Sequence, residues 1–93
     1  MKIFYTHKAI DDLDRLHHFI RKNNPKATTQ VSERLLDAIK KLLDFPMLGR
    51  KVKNTKDSVS LRDLIIDQYI IRYALLHKEI HILNIWHTKE DRI

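Results

Sequence analysis

The chain has 93 residues, 43% of them hydrophobic, with one glycine, two prolines, no cysteine and a formal net charge of +6. A chain of this size forms one domain with one modest core, burying roughly 60–65% of its unfolded surface, and its composition excludes disulfides, thiolate chemistry, Gly-rich phosphate loops and wholesale disorder. The charge suits an anionic partner (nucleic acid, an acidic protein, an anionic membrane surface) or serves solubility alone; with no signal-like segment and no apolar run long enough to span a bilayer, we expect a cytoplasmic protein.

Lys2–Thr6 reads as a short lead strand. Thr6 is placed to N-cap a helix running to about Asn23, with Ile10, Leu13, Leu16 and Ile20 as its apolar stripe. Asp11, Asp12 and Asp14 lie in its first half and Arg21 and Lys22 in its last turn, as the helix dipole favours. Asn24-Pro25 marks a boundary: Asn24 can cap, and Pro25 suits a first helical turn. A second helix is predicted from Pro25 to about Phe45, with Ala27, Val31, Leu35, Ala38, Ile39 and Leu42 as its stripe, widened by Leu36 and Leu43, and Pro46 as its stop. So short a linker predicts an antiparallel helix hairpin.

Residues 47–58 read as the one long loop, holding Gly49 and the cations Arg50, Lys51, Lys53 and Lys56 against Asp57. Three β-branched and aromatic runs follow, at about Val59–Ile66, Tyr69–His77 and Ile80–His87. Only Asp67-Gln68 and Lys78-Glu79 separate them, so they form an antiparallel meander. The expected fold is α+β over residues 1–93: a short N-terminal strand, a two-helix hairpin and a three-strand meander, with the helices packed on one sheet face. Strand alternation puts Tyr69, Ile71, Tyr73 and Leu75 against the helices and Arg72 on the opposite face.

A guanidinium fixed on a sheet face offers a fork for phosphate or carboxylate, and Arg72 is either that or a strand arginine paired with an acid. Arg62 and Asp63 are adjacent and point to opposite faces, so no direct pair is expected; Arg62 is a second cation of the sheet or a rim residue. His87, at a strand end beside Lys89, is either a general acid–base or a ring that hydrogen-bonds the backbone. Arg50, Lys51, Lys53 and Lys56 form either an edge for nucleic-acid or target binding or a solvated loop. The six histidines show no ligand spacing, so no metal and no cofactor is expected. Trp86 reads as packing, with base stacking as the alternative.

The order of elements resembles the RelE/ParE superfamily of bacterial type II toxins. The likeness extends over nearly the whole chain: Ala9 and Leu13, Asn24-Pro25, the segment LLDFPMLGR at Leu42–Arg50, LRDL at Leu61–Leu64, YIIRY at Tyr69–Tyr73 and ILNIWHTKED at Ile82–Asp91. Pro46 and Gly49-Arg50, followed by LRDL and the Tyr-rich strand, are specific in combination. The resemblance implies a growth-inhibiting toxin of a plasmid-stabilization type of system, neutralised by a cognate antitoxin that wraps it. It also implies one of two targets. RelE-like members cut mRNA at the ribosome, with Arg and Lys on the phosphate and a Tyr or His assisting; ParE-like members inhibit DNA gyrase. The RelE-type strand has Arg directly after its first Tyr, where this chain has Ile70; Arg72 comes two residues on, a shift of roughly 6–7 Å. No Tyr follows His87, although Lys89 matches a cation position. The expectation is therefore a ParE-like toxin that binds DNA gyrase. The alternative is a metal-independent, ribosome-dependent mRNA endonuclease using Arg62, Arg72, His87 and Lys89, and a second alternative is a basic nucleic-acid-binding module.

Overall fold

The computed structural model describes residues 1–52 and 60–90. Strand β1 (Lys2–Tyr5) leads into helix α1 (His7–Asn23), a 3-10 turn at Pro25–Ala27 and helix α2 (Thr28–Lys41). Strands β2 (Arg50–Lys51), β3 (Ser60–Ile66), β4 (Tyr69–Leu76) and β5 (Glu79–His87) follow. The meander β3-β4-β5 forms as expected and is extended on both sides. β1 adds in parallel to β5, and β2, from the segment read as loop, adds antiparallel to β3, giving a mixed five-stranded sheet in the order β1-β5-β4-β3-β2.

The second helix is shorter than predicted at both ends. Pro25 opens a 3-10 turn in which Thr28 Oγ1 donates to the Pro25 carbonyl, and Asn24 makes no side-chain cap. After Lys41 the amides of Leu42, Leu43 and Asp44 reach back only three residues, a tightened exit ahead of Pro46. Thr6 does cap α1, accepting from the Ala9 amide at 3.1 Å. The turns joining β3 to β4 and β4 to β5 carry positive φ at Asp67, and at His77 and Lys78, so the second reversal sits one residue earlier than Lys78-Glu79. Two consecutive positive-φ residues match the twist of a tight hairpin.

Helices cover one sheet face. Ile71 and Tyr73 of β4 and Ile80, Ile82 and Ile85 of β5 are buried there against Ala9, Leu16, Leu35, Ala38, Ile39 and Leu42. The buried stripe of α1 is Ala9, Asp12, Leu16 and Ile20, whereas Ile10 is half exposed. Leu16 and Ile20 of the predicted stripe are buried and Leu13 packs against the core, while Ala9 and Asp12 take the core-facing place expected of Ile10.

That aspartate completes the sheet. β1 pairs with β5 only as far as Tyr5 opposite Ile82. Beyond it, α1 supplies the hydrogen bonds a strand would make: the Ile85 amide donates to Asp12 Oδ2 at 2.9 Å and Arg15 Nη2 donates to the Ile85 carbonyl at 2.9 Å. Thr6 bridges the junction, its amide and hydroxyl both donating to the Ile82 carbonyl. Lys8 and Arg15 pair with the Asp12 carboxylate, and Glu90 receives both Arg15 and the His87 amide, at 2.7 and 2.9 Å. An unpaired edge amide would be costly here, and a buried carboxylate persists only where donors surround it.

Replacing Asp12 with alanine leaves the Ile85 amide unpartnered and should destabilise the fold by about 2–3 kcal/mol in chemical denaturation, with faster amide exchange at Ile85. Burial by itself would raise the Asp12 and Glu90 pKa values; the hydrogen bonds from Lys8, Ile85 and Arg15 to Asp12, and from Arg15 and His87 to Glu90, outweigh it and hold both below the usual carboxylate range. A depressed folded-state pKa contributes stability that is present above the unfolded value and lost as the pH falls through the folded value. Denaturation midpoints should therefore drop on acidification through and below the ordinary carboxylate range, and more steeply than in Asp12→Asn.

Candidate functional site

Two joints and two faces decide where the cations lie. Arg72 stands on the face away from the helices, opposite Asp63 in β3. Its guanidinium meets the Asp63 carboxylate in a two-pronged pair, at 2.8 and 3.0 Å, and lies 5.3 Å from the centre of the Trp86 ring. Fork pairing and the cation–π contact fix the side chain and neutralise its charge.

Arg62 is on the other face, opposite Tyr73. It donates to the Gly49 carbonyl at 2.8 Å, to the Met47 carbonyl at 3.3 Å and to Ser60 Oγ at 3.1 Å. Beside it the buried Tyr73 hydroxyl donates to the Pro46 carbonyl at 2.7 Å and accepts from the Gly49 amide at 2.9 Å. A Cβ on Gly49 would come within 2.7 Å of the Tyr73 ring and 3.0 Å of the Asp63 carbonyl, so close approach, not backbone conformation, requires glycine there. The three segments singled out in the sequence, around Pro46-Gly49, Leu61–Leu64 and Tyr69–Tyr73, therefore meet in one joint.

His87 ends β5 on the helix-side face. It is nearly buried, with its ring edge-on to Tyr69 at 4.8 Å and 5.3 Å from Phe19. Nδ1 accepts from the Lys89 amide at 2.9 Å, so the neutral ring carries its proton on Nε2. Burial, then the Lys89 charge, push the imidazole pKa below its ordinary value, against an opposing pull from Glu90. A cleft of about 410 Å³ opens here, lined by Phe19, Asn23, Tyr69, His87 and Lys89 among others.

The four residues proposed for phosphate chemistry are thus divided. Arg72 is on the open face; Arg62 and His87 are on the helix-side face at separate strands, Arg62 holding a loop and His87 closing β5, with the exposed Lys89 just beyond it. Arg50 and Lys51 are exposed on the edge strand β2, opposite Asp63 and Arg62. Lys53 and Lys56 lie outside the described residues. Among the described residues no three His, Asp or Glu side chains converge as a metal site would, and no helix is long and apolar enough to cross a membrane.

Sequence reasoning passed over Asp12, Arg15 and Glu90. Asp12 had a signal: it falls in register with Ala9, Leu16 and Ile20 on one helix stripe. Glu90 and the Tyr73 joint had none, because their partners lie far away along the chain.

Residues 3–92 match the family described as ParE toxin of type II toxin-antitoxin system, parDE. The chain is 32% identical to Toxin RelE1 of Caulobacter vibrioides, over 91% of this chain and 90% of that protein. It is 31% identical to putative toxin Y4kP of Sinorhizobium fredii (97% and 91%) and 30% identical to Toxin RelE2 of C. vibrioides (94% of each). The fold is similar to a chain of the chromosomal ParDE TA system from P. aeruginosa, with a TM-score of 0.74 at 22% identity, covering 96% of this chain and 97% of that one.

Gly49→Ala should destabilise the domain by about 1–3 kcal/mol through overpacking against a ring that has no room to move. Tyr73→Phe should cost a similar amount, about 1–3 kcal/mol, by stripping partners from the Pro46 carbonyl and the Gly49 amide; both are read from denaturation curves. In an NMR titration the His87 ring should take up its proton below the pH usual for histidine, with Nε2 protonated in the neutral form. The sign for folding follows: a depressed histidine pKa gives stability that is complete above the ordinary value and declines as the pH drops through the folded one.

Proposed function

Because this chain belongs to the ParE toxin family of type II toxin–antitoxin systems, with a cognate antitoxin as its partner, we propose that it arrests growth by binding DNA gyrase and that it does not cut RNA. Metal-free RNA cleavage needs a base for the 2′-hydroxyl, an acid for the leaving oxygen and cations on the phosphate, all within reach of one scissile bond. The observation carrying the proposal is the separation of these groups. Arg72 is neutralised by Asp63 on one face; on the other, His87 is nearly buried between Phe19 and Tyr69 in the cleft it shares with Lys89, at the far end of the meander's last strand and without either arginine. Arg62 spends its donors on the Met47 and Gly49 carbonyls. Binding, in contrast, asks only for a rigid surface with exposed contacts, and a cationic chain associates quickly with acidic surfaces.

The target belongs to this proposal; the RelE-like side of the resemblance makes ribosome-bound mRNA the competing one. Purified toxin should inhibit supercoiling by gyrase in vitro, leave mRNA intact in a translating extract, and lose its effect on addition of antitoxin. His87→Ala should still arrest growth. Cleaved ribosomal mRNA with normal supercoiling, or loss of arrest in a folded His87→Ala protein, would replace gyrase with mRNA as the target.

A further inference from the structure

The corner between α2 and β2 spends buried polar groups on holding a loop whose side chains face water. Phe45, Met47 and Leu48 are 63%, 70% and 52% exposed. Yet their backbone is fixed by the Tyr73 hydroxyl on both sides of the turn, by Arg62 on the Met47 and Gly49 carbonyls, and by the Leu48 amide donating to the Phe45 carbonyl at 3.1 Å. None of these bonds uses the side chains of Phe45, Met47 or Leu48. Polar residues at those positions would leave the joint intact and remove apolar surface from water, so the fold does not account for them.

Large apolar side chains on an immobilised backbone are the anchors expected of a docking surface, since little freedom is lost when they insert. Ile65, 47% exposed, continues the patch, and with Leu48 and Arg50 it lines a shallow cleft of about 380 Å³. Arg50 and Lys51 give the patch a positive rim; of the acids beside it, Asp63 is held by Arg72, and Asp44, next to Phe45, still leaves the rim net positive. A second apolar surface, the groove of about 450 Å³ between α1 and α2, differs in charge: Ile10, Leu13 and Leu36 are accompanied there by Asp11 and Asp14. One acidic partner segment would be attracted to the corner and repelled from the groove. Exposure separates them further: a groove can receive a helix, whereas Phe45 and Met47, at 63% and 70% exposed, are placed to enter a recess of a folded partner.

Resting on the gyrase reading above, we infer that the corner formed by Phe45, Met47, Leu48 and Ile65 with Arg50 and Lys51 is the surface by which this toxin docks on its target, inserting into an apolar recess rimmed by carboxylates on that folded protein. The antitoxin then binds elsewhere, and the toxin's contacts for arrest and for neutralisation are separable.

Two variants test this: Phe45→Ser with Met47→Ser, and the charge reversal Arg50→Glu with Lys51→Glu. Each is assayed for growth arrest on expression, for gyrase binding as purified protein, and for affinity toward the antitoxin, which also reports folding. Arrest should be lost and gyrase binding weakened by at least about tenfold in each, as for central interface anchors, while antitoxin affinity stays near that of the parent. Continued arrest by both variants overturns the inference, whatever the target. Antitoxin affinity that falls in step with arrest in folded variants also overturns it, by assigning the corner to the antitoxin. A parent protein that arrests growth without binding gyrase removes the gyrase reading alone, and the arrest assay still decides the corner.

Discussion

The sheet of this toxin depends on closing one edge of its last strand. β5 is longer than β1, so its end beyond Ile82 would leave main-chain groups unpaired beneath a helix. The Asp12 carboxylate and the Arg15 guanidinium take the Ile85 amide and carbonyl, and one helical turn stands in for the missing strand length. This explains why a charged residue that is 1% exposed belongs in the buried stripe. It also ties α1 to the segment after β5, since Arg15 continues to Glu90 and Glu90 to the His87 amide. The chain leaving β5 at His87 is anchored through this edge, and the Glu90 held there opposes the burial and the Lys89 charge that depress the His87 pKa.

A comparable joint organises the opposite side of the molecule. Tyr73 and Arg62, both on the helix-side face, grip the chain between Pro46 and Gly49 and lead β2 onto β3. Cations that invite a functional interpretation in sequence are thereby given structural work: Arg62 satisfies carbonyls, Arg15 completes an edge, and Arg72 is locked against Asp63 and Trp86. At the β2 edge of the sheet, Arg50 and Lys51 carry exposed positive charge directly after the rigid loop. On the reading proposed above, this division suits a toxin that acts by binding: Arg62 and Arg72, two cations a nuclease would have to bring together, are held by the protein's own oxygens on opposite faces.

Much of the architecture was legible. Alternation in LRDL and YIIRY oriented Arg72 away from the helices, and Thr6 and the short polar breaks marked the helix start and the hairpins. Local periodicity is enough for such assignments because burial of one face forces it. Other features exceeded its reach. Arg62 was expected to face away from Asp63, and it does, but its carbonyl partners sit in the Met47–Gly49 turn. The lead strand was read at Lys2–Thr6, where β1 covers Lys2–Tyr5, but without its partner, which lies more than seventy residues on. In the α1 stripe Ile10 was preferred to Asp12 because it outranks it by hydrophobicity, and nothing local shows that an edge amide awaits a carboxylate.

The sequence by itself determined the class of fold, the facing of the strand Tyr69–Leu76 and the excess of positive charge, since these follow from residue type and spacing along a continuous segment, and it carried the resemblance that pointed to the family. Only the tertiary structure decided which cations are exposed and which are consumed. An arginine's role depends on the oxygen it meets, and for Arg15, Arg62 and Arg72 that oxygen comes from another element of the chain.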